Sequence, residues 1–93
     1  MTVRHEDRPI RLREADLHWQ DIDGDVIALE GRASEYLTAN PAGALLWRAL
    51  AAGSTRAELA DRLAAAYRLP RVRAAQDAER FLAELRERGL LEE

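Results

Sequence analysis

Within a dozen residues, Tyr36-Leu37-Thr38-Ala39-Asn40-Pro41-Ala42-Gly43-Ala44-Leu45-Leu46-Trp47, an extended segment has to turn into a buried helix. Tyr36 to Ala39 suits a short strand. Asn40 can accept the first free backbone N–H groups of a helix, and Pro41 falls at the first helical position, where its missing N–H costs nothing. The helix that follows carries Leu45, Leu46, Trp47 and Leu50 for a core. The rest of the chain is arranged around this junction.

Upstream, apolar Leu17 and Trp19 alternate with His18 and Gln20, the period of a strand with one buried face. Asp23-Gly24 supplies the chemistry of a tight hairpin, and Val26 to Leu29 forms the returning strand. Gly31 to Ser34 makes a second turn before a third strand over 35–39. In a simple meander that third strand is an edge, with one row of backbone N–H and C=O groups unpaired. Alternation puts Tyr36 and Thr38 on one face and Leu37 and Ala39 on the other, without deciding which face meets the helices.

Downstream, the first helix is expected over 41–51 and is closed by Gly53. Thr55 and Glu58, three apart, form a capping box for a second helix with Leu59, Leu63 and Tyr67 on one face, ended by Pro70. A third helix over 72–88 carries Ala75, Ala78, Phe81, Leu82 and Leu85 along one stripe. Gly89 ends it, and Leu90 can fold back onto its last turn. The fold class expected is α+β, resembling a winged helix-turn-helix: a three-stranded antiparallel sheet followed by three helices. Residues 1–14, dense in charge and carrying Pro9, read as a flexible lead-in, disordered over its first several residues and with Ile10 and Leu12 touching the sheet, to a domain over 15–93.

At 93 residues the chain is one domain, too short for an elaborate active-site cleft. Without cysteine it has no disulfide, thiolate zinc site or Cys nucleophile, and two histidines leave little for a metal. No apolar run approaches the roughly 20 residues that span a bilayer, and the first residues lack the apolar core of a signal peptide. A cytoplasmic location away from the membrane is expected. The net charge is −3, and all 14 basic residues are arginine, a bias we assign to genomic composition.

Asp21-Ile22-Asp23-Gly24-Asp25 invites a calcium reading. An EF-hand loop, however, needs its glycine at the sixth position and an acid at the twelfth, between helices, whereas Gly24 is fourth and lies between strands. His18 should point to solvent, and neither it nor His5 has a nucleophile beside it. No catalytic residue, metal ligand or cofactor site is assigned. Trp47, Phe81 and Tyr67 on aliphatic helix faces read as core. Arg80, Glu84 and Arg88 read as a solvated ion-pair ladder.

The order of the elements also suggests DNA as a competing partner. The acidic balance, and the mixing of Arg56, Arg62 and Arg68 with Glu58 and Asp61, argue against a face that grips phosphates. A free strand edge beside a helix can instead bind an extended peptide as a further strand, so a peptide is expected over DNA, and no nucleic acid.

Taken together, the aromatic strand, Asn40 and Gly43, the aliphatic-Trp helix, Gly53-Ser54-Thr55-Arg56-Ala57-Glu58-Leu59, the Tyr67-ended helix and Asp77-Ala78-Glu79-Arg80-Phe81-Leu82 running into Gly89-Leu90 resemble the PqqD-like family over about residues 17–91. Two departures are Ala39, where the pattern has a large apolar residue, and Ala78, where it has Val. The family recognises the leaders of ribosomally made, later modified peptides. The resemblance implies a leader lying between the third strand and the third helix, paired to the strand at Glu35, Tyr36, Leu37 and Thr38.

On the third helix, Arg73, Asp77 and Arg80 fall at i, i+4 and i+7, and Asp77 matches the family's Asp. They are the expected polar wall of the groove. The other flank, Val72, Gln76 and Glu79, stays open as an alternative, since periodicity does not say which flank faces the strand. The implied role is a non-catalytic adaptor that delivers a precursor to a separate modifying enzyme. A lasso-peptide leader peptidase is favoured over pyrroloquinoline quinone biosynthesis, because no Pro-Glu precedes the third strand.

Overall fold

The computed structural model describes residues 8–32 and 35–92, with Glu35 described by its backbone alone. Its elements run β1 (Arg11–Leu12), β2 (Leu17–Ile22), β3 (Asp25–Glu30), β4 (Glu35–Ala39), α1 (Pro41–Ala52), α2 (Arg56–Tyr67), α3 (Arg71–Glu87) and β5 (Leu91–Glu92). The antiparallel meander β2-β3-β4 followed by three helices is the expected α+β arrangement. The expected turn between β3 and β4 is described only at Gly31 and Arg32, its remaining two residues lying outside the described ones.

Local chemistry accounts for each boundary. Asp23 and Gly24 both take positive φ (51° and 87°), the signature of a type I′ hairpin turn, whose twist matches that of the flanking strands. The Asn40 side chain accepts from the Gly43 N–H at 2.8 Å, capping α1 ahead of Pro41. Thr55 and Glu58 close their box reciprocally at 3.1 Å each way. At the end of α3, Gly89 (φ 70°) lets the Leu90 N–H reach the Leu85 carbonyl at 3.0 Å, so Leu90 folds back and is fully buried.

The core lies between the three-stranded sheet and the helices. Leu50, Leu59, Leu82 and Leu90 are fully buried, each contributing about 1.5–3 kcal/mol from area removed from water. Trp47 is core as expected, at 2 % exposure. Its ring meets Trp19 edge-on, with centroids 6.2 Å apart. Trp19 itself, expected on a buried face, remains 36 % exposed. It points to the core side, but β2 is the far edge of the sheet, and among the strands α1 packs mainly on β1, β3 and β4.

In the second half of the lead-in over 1–14, the expected contacts of Ile10 and Leu12 take the form of a clasp. Ile10 bridges to Ser54, with hydrogen bonds of 2.7 and 3.0 Å, and β1 pairs with β5, Arg11 opposite Glu92 and Leu12 opposite Leu91. Ile10 and Leu12 are buried in the same core as the helices. The first seven residues lie outside the described ones. Two-residue strands have no periodicity to read, which is why the pairing of β1 with β5 is not evident from sequence.

Candidate functional site

The turn chemistry of the first hairpin determines which backbone groups of β4 are free. In the Asp23–Gly24 turn the Asp25 N–H returns to the Ile22 carbonyl. Backbone groups along an antiparallel strand alternate sides, so Asp25, Ile27 and Leu29 face β2, while Val26, Ala28 and Glu30 face β4. Their partners on β4 are Ala39, Leu37 and Glu35. The N–H and C=O groups of Tyr36 and Thr38 therefore point away from β3, toward the open side of the sheet, where no further strand pairs among the described residues.

That open edge borders a groove of about 650 Å³, within the size range of ligand sites in general. Leu37, Thr38 and Ala39 form its strand side, and Arg73, Asp77, Arg80, Phe81 and Glu84 of α3, with Arg88 just past its end, form the opposite wall. Leu46, Trp47, Leu63 and Leu69 make an apolar floor. The faces of β4 that alternation leaves open are thereby assigned: Leu37 and Ala39 pack against the core, while Tyr36, 74 % exposed, lies on the outer sheet face with Ile22 and Ile27.

Of the residues singled out in sequence, Leu37, Thr38, Arg73, Asp77 and Arg80 line the groove together. Tyr36 does not line the groove, and its backbone groups lie on the open edge of β4. Glu35 lies in β4, its side chain outside the described residues. Gln76 does not line the groove and is exposed. On the same flank, Glu79 turns toward α2 and pairs with Arg56 at 2.7 Å. The rotation of α3 is fixed by burial of Ala74, Ala78, Leu82 and Leu85, which leaves the Arg73 flank facing β4.

The α3 wall is charged in alternation. Asp77, the least exposed of its ion-paired carboxylates, accepts from Arg73 Nε at 3.3 Å and lies 3.5 Å from Arg80 Nη1. Such pairs at the surface contribute little to stability and exchange partners at little cost. Arg80, read as part of a solvated ladder, belongs to this wall, as do Glu84 and Arg88 further along the same stripe. Continuing the i, i+4, i+7 spacing of Arg73, Asp77 and Arg80 would have found them.

Tyr67 is a second correction. It ends α2, remains 43 % exposed and lines the groove instead of filling the core. A side chain in the last turn has no following turn to cover it. Trp47 contributes one further property, since its buried Nε1 has no hydrogen-bond partner among the described residues.

Beyond the groove, Asp21 of the acidic hairpin is engaged by Arg48, which also donates to the Gly24 carbonyl at 2.7 Å. Chiefly through this side-chain hydrogen bond, Arg48 holds the Asp21 carboxyl below the usual range. Among the described residues no group of three or more His, Asp or Glu converges as metal ligands would. Nor is any helix among them long and apolar enough to cross a membrane.

An α+β domain with an open strand edge set across an apolar groove from its last helix is the class these features define. The family profile described as coenzyme PQQ synthesis protein D (PqqD) matches residues 20–91, and the chain belongs to this family. Two solved structures share the fold. One is TbiB1 in complex with the TbiA(beta) leader peptide, at 26 % identity and TM-score 0.81 over 88 % of this chain and 94 % of that one. The other is a lasso peptide synthetase B1 complexed with the leader peptide, at 28 % identity and TM-score 0.78 over 90 % and 98 %. No curated protein sequence matches the chain.

Proposed function

We propose that the groove binds the leader segment of a ribosomally made precursor peptide, added as a further antiparallel or parallel strand along the free edge of β4. Main-chain hydrogen bonds to Tyr36 and Thr38 supply affinity, and side chains on the groove side of the peptide enter the apolar floor. The observation that carries this reading is the pair of outward-facing residues on β4 opposite α3. The two structures similar to this chain, each a leader-peptide complex, support it.

In this reading the chain is a non-catalytic adaptor: binding needs a backbone partner and no cofactor. It presents the precursor to a separate processing enzyme, a lasso-peptide leader peptidase. Likeness to lasso B1 proteins over nine-tenths of the chain favours that setting over coenzyme PQQ synthesis.

The test is a titration of fluorescently labelled leader, encoded by the short open reading frame nearest the chain, into the purified protein without ATP or metal. Saturable binding is expected, and a labelled DNA duplex should not bind. Tight duplex binding that falls steeply with salt, with no leader binding, would replace the peptide reading with a nucleic-acid one.

A further inference from the structure

We infer that one end of this groove is a subsite for a bulky apolar side chain of the bound peptide, and that Ala39 sets the size it accepts. The inference rests on the peptide-binding reading and deepens it. Along the groove face of β4 the residues are Leu37 and then Ala39, two positions apart and therefore about 6.6 Å. Beside Ala39 the floor is low: the lining residues that follow it are Asn40, whose side chain is held in the α1 cap, and then Ala42 and Gly43 at the start of α1.

Contacts at Gly43 show how closely this corner is drawn together. A Cβ on Gly43 would lie 3.3 Å from the Ala39 Cβ, 3.2 Å from the edge of the Phe81 ring and 3.2 Å from the Asn40 cap oxygen. Gly43 thus allows α1, β4 and α3 to approach, and Ala39 projects only a methyl over the junction. The half-buried Phe81 ring forms the far side. A strand added beside β4 lies about 4.8 Å away with alternate side chains directed to the groove. The one level with Ala39 meets an aromatic edge and short side chains instead of a leucine.

Trp47, 2 % exposed, forms part of the same apolar floor. Phe, Leu or Met is the class of side chain the Ala39 corner fits. Polar residues at that level would lose their hydration without a partner.

A selection from random sequence tests the subsite whatever the natural leader is. A random fifteen-residue peptide library displayed on messenger RNA is selected against the wild-type protein and against Ala39→Leu and Ala39→Val, each first checked for folding by circular dichroism. Ala39→Val, well suited to a strand, serves if the leucine variant does not fold. Wild type should enrich peptides with a bulky apolar residue at one fixed position. The variants should enrich Ala, Ser or Gly there and leave the other preferred positions unchanged.

For an enriched wild-type peptide, replacing that residue by Ala should weaken binding by about tenfold to a hundredfold. Identical profiles for wild type and a folded variant, or no loss on the peptide's own truncation, overturn the subsite while leaving the groove as a peptide site. No enrichment by the wild type overturns the peptide reading together with it.

Discussion

Trp47 joins the core, the groove and the neighbouring sheet in one side chain. Its ring is buried against Trp19 and the groove floor, so Trp47→Ala should destabilise the protein by about 3–5 kcal/mol, the usual range for truncating a buried aromatic. A urea melt measures it, and an unchanged midpoint would contradict the burial. Trp47→Phe, which keeps a ring and removes the unmatched donor, should lose markedly less. Asp21 gives a prediction in pH. Its pKa is lowered in the folded protein, first by the side-chain hydrogen bond from Arg48, so the unfolded chain binds the more protons near that range. The pair's contribution is complete above the unfolded carboxyl value, about 3.9, and is lost as pH falls through the lower folded value. Melts of wild type and Asp21→Asn should differ by a constant amount above about pH 5 and converge below pH 4. Added salt should narrow the gap, because the pair is exposed.

At the scale of elements, much is legible in the sequence. The Asp23-Gly24 hairpin, the Asn40-Pro41 junction, the Thr55–Glu58 box and the Gly89 stop are local chemistry, readable over a few residues, and each forms where expected. The Arg73, Asp77 and Arg80 stripe is legible too, because helical spacing is enough to group it, whereas the strand positions come from the family resemblance, since alternation leaves the face of β4 open. What periodicity does not carry is the rotation of one element against another. The choice between the Arg73 and Gln76 flanks, the exposure of Tyr67 and the low corner at Ala39 all depend on how α3 meets α1 and β4. The β4 edge yields the sharpest prediction. Thr38 directs its N–H to the open side, whereas Leu37 is level with Ala28 in the β3–β4 ladder. Proline is tolerated on an edge strand only where the lost donor faces outward. Thr38→Pro should therefore fold, as judged by circular dichroism, and lose leader binding, while Leu37→Pro should unfold. A folded Thr38→Pro protein with wild-type affinity would show that strand addition along this edge is wrong. Arg80→Glu, which alters the α3 wall without touching the ladder, should weaken binding less than Thr38→Pro.

The whole molecule is closed by a long-range contact that no local pattern announces. Arg13 leaves β1 and donates to the Gly89 carbonyl at 2.8 Å, to the Ala15 carbonyl at 2.7 Å and to the Glu30 carboxylate at the end of β3. One guanidinium thereby ties the entering chain, the sheet and the C-terminal end of α3, beside the pairing of β1 with β5. Both side chains are largely withdrawn from water, 11 % and 8 % exposed. In such a setting the loss of one partner costs far more than the pair is worth against apolar replacements, because the remaining charge stays buried and unmatched. Glu30→Ala should therefore destabilise the fold by about 3–5 kcal/mol, and Arg13→Met by a comparable amount through its lost hydrogen bonds. The double variant Arg13→Met with Glu30→Leu should recover most of that loss, since apolar groups of similar volume then fill the site. Urea melts of the four proteins form a double-mutant cycle. Strong non-additivity is the expected result; two losses that simply add would mean that the clasp does not couple β3 to the end of α3, and that the two-residue sheet alone holds the termini to the core.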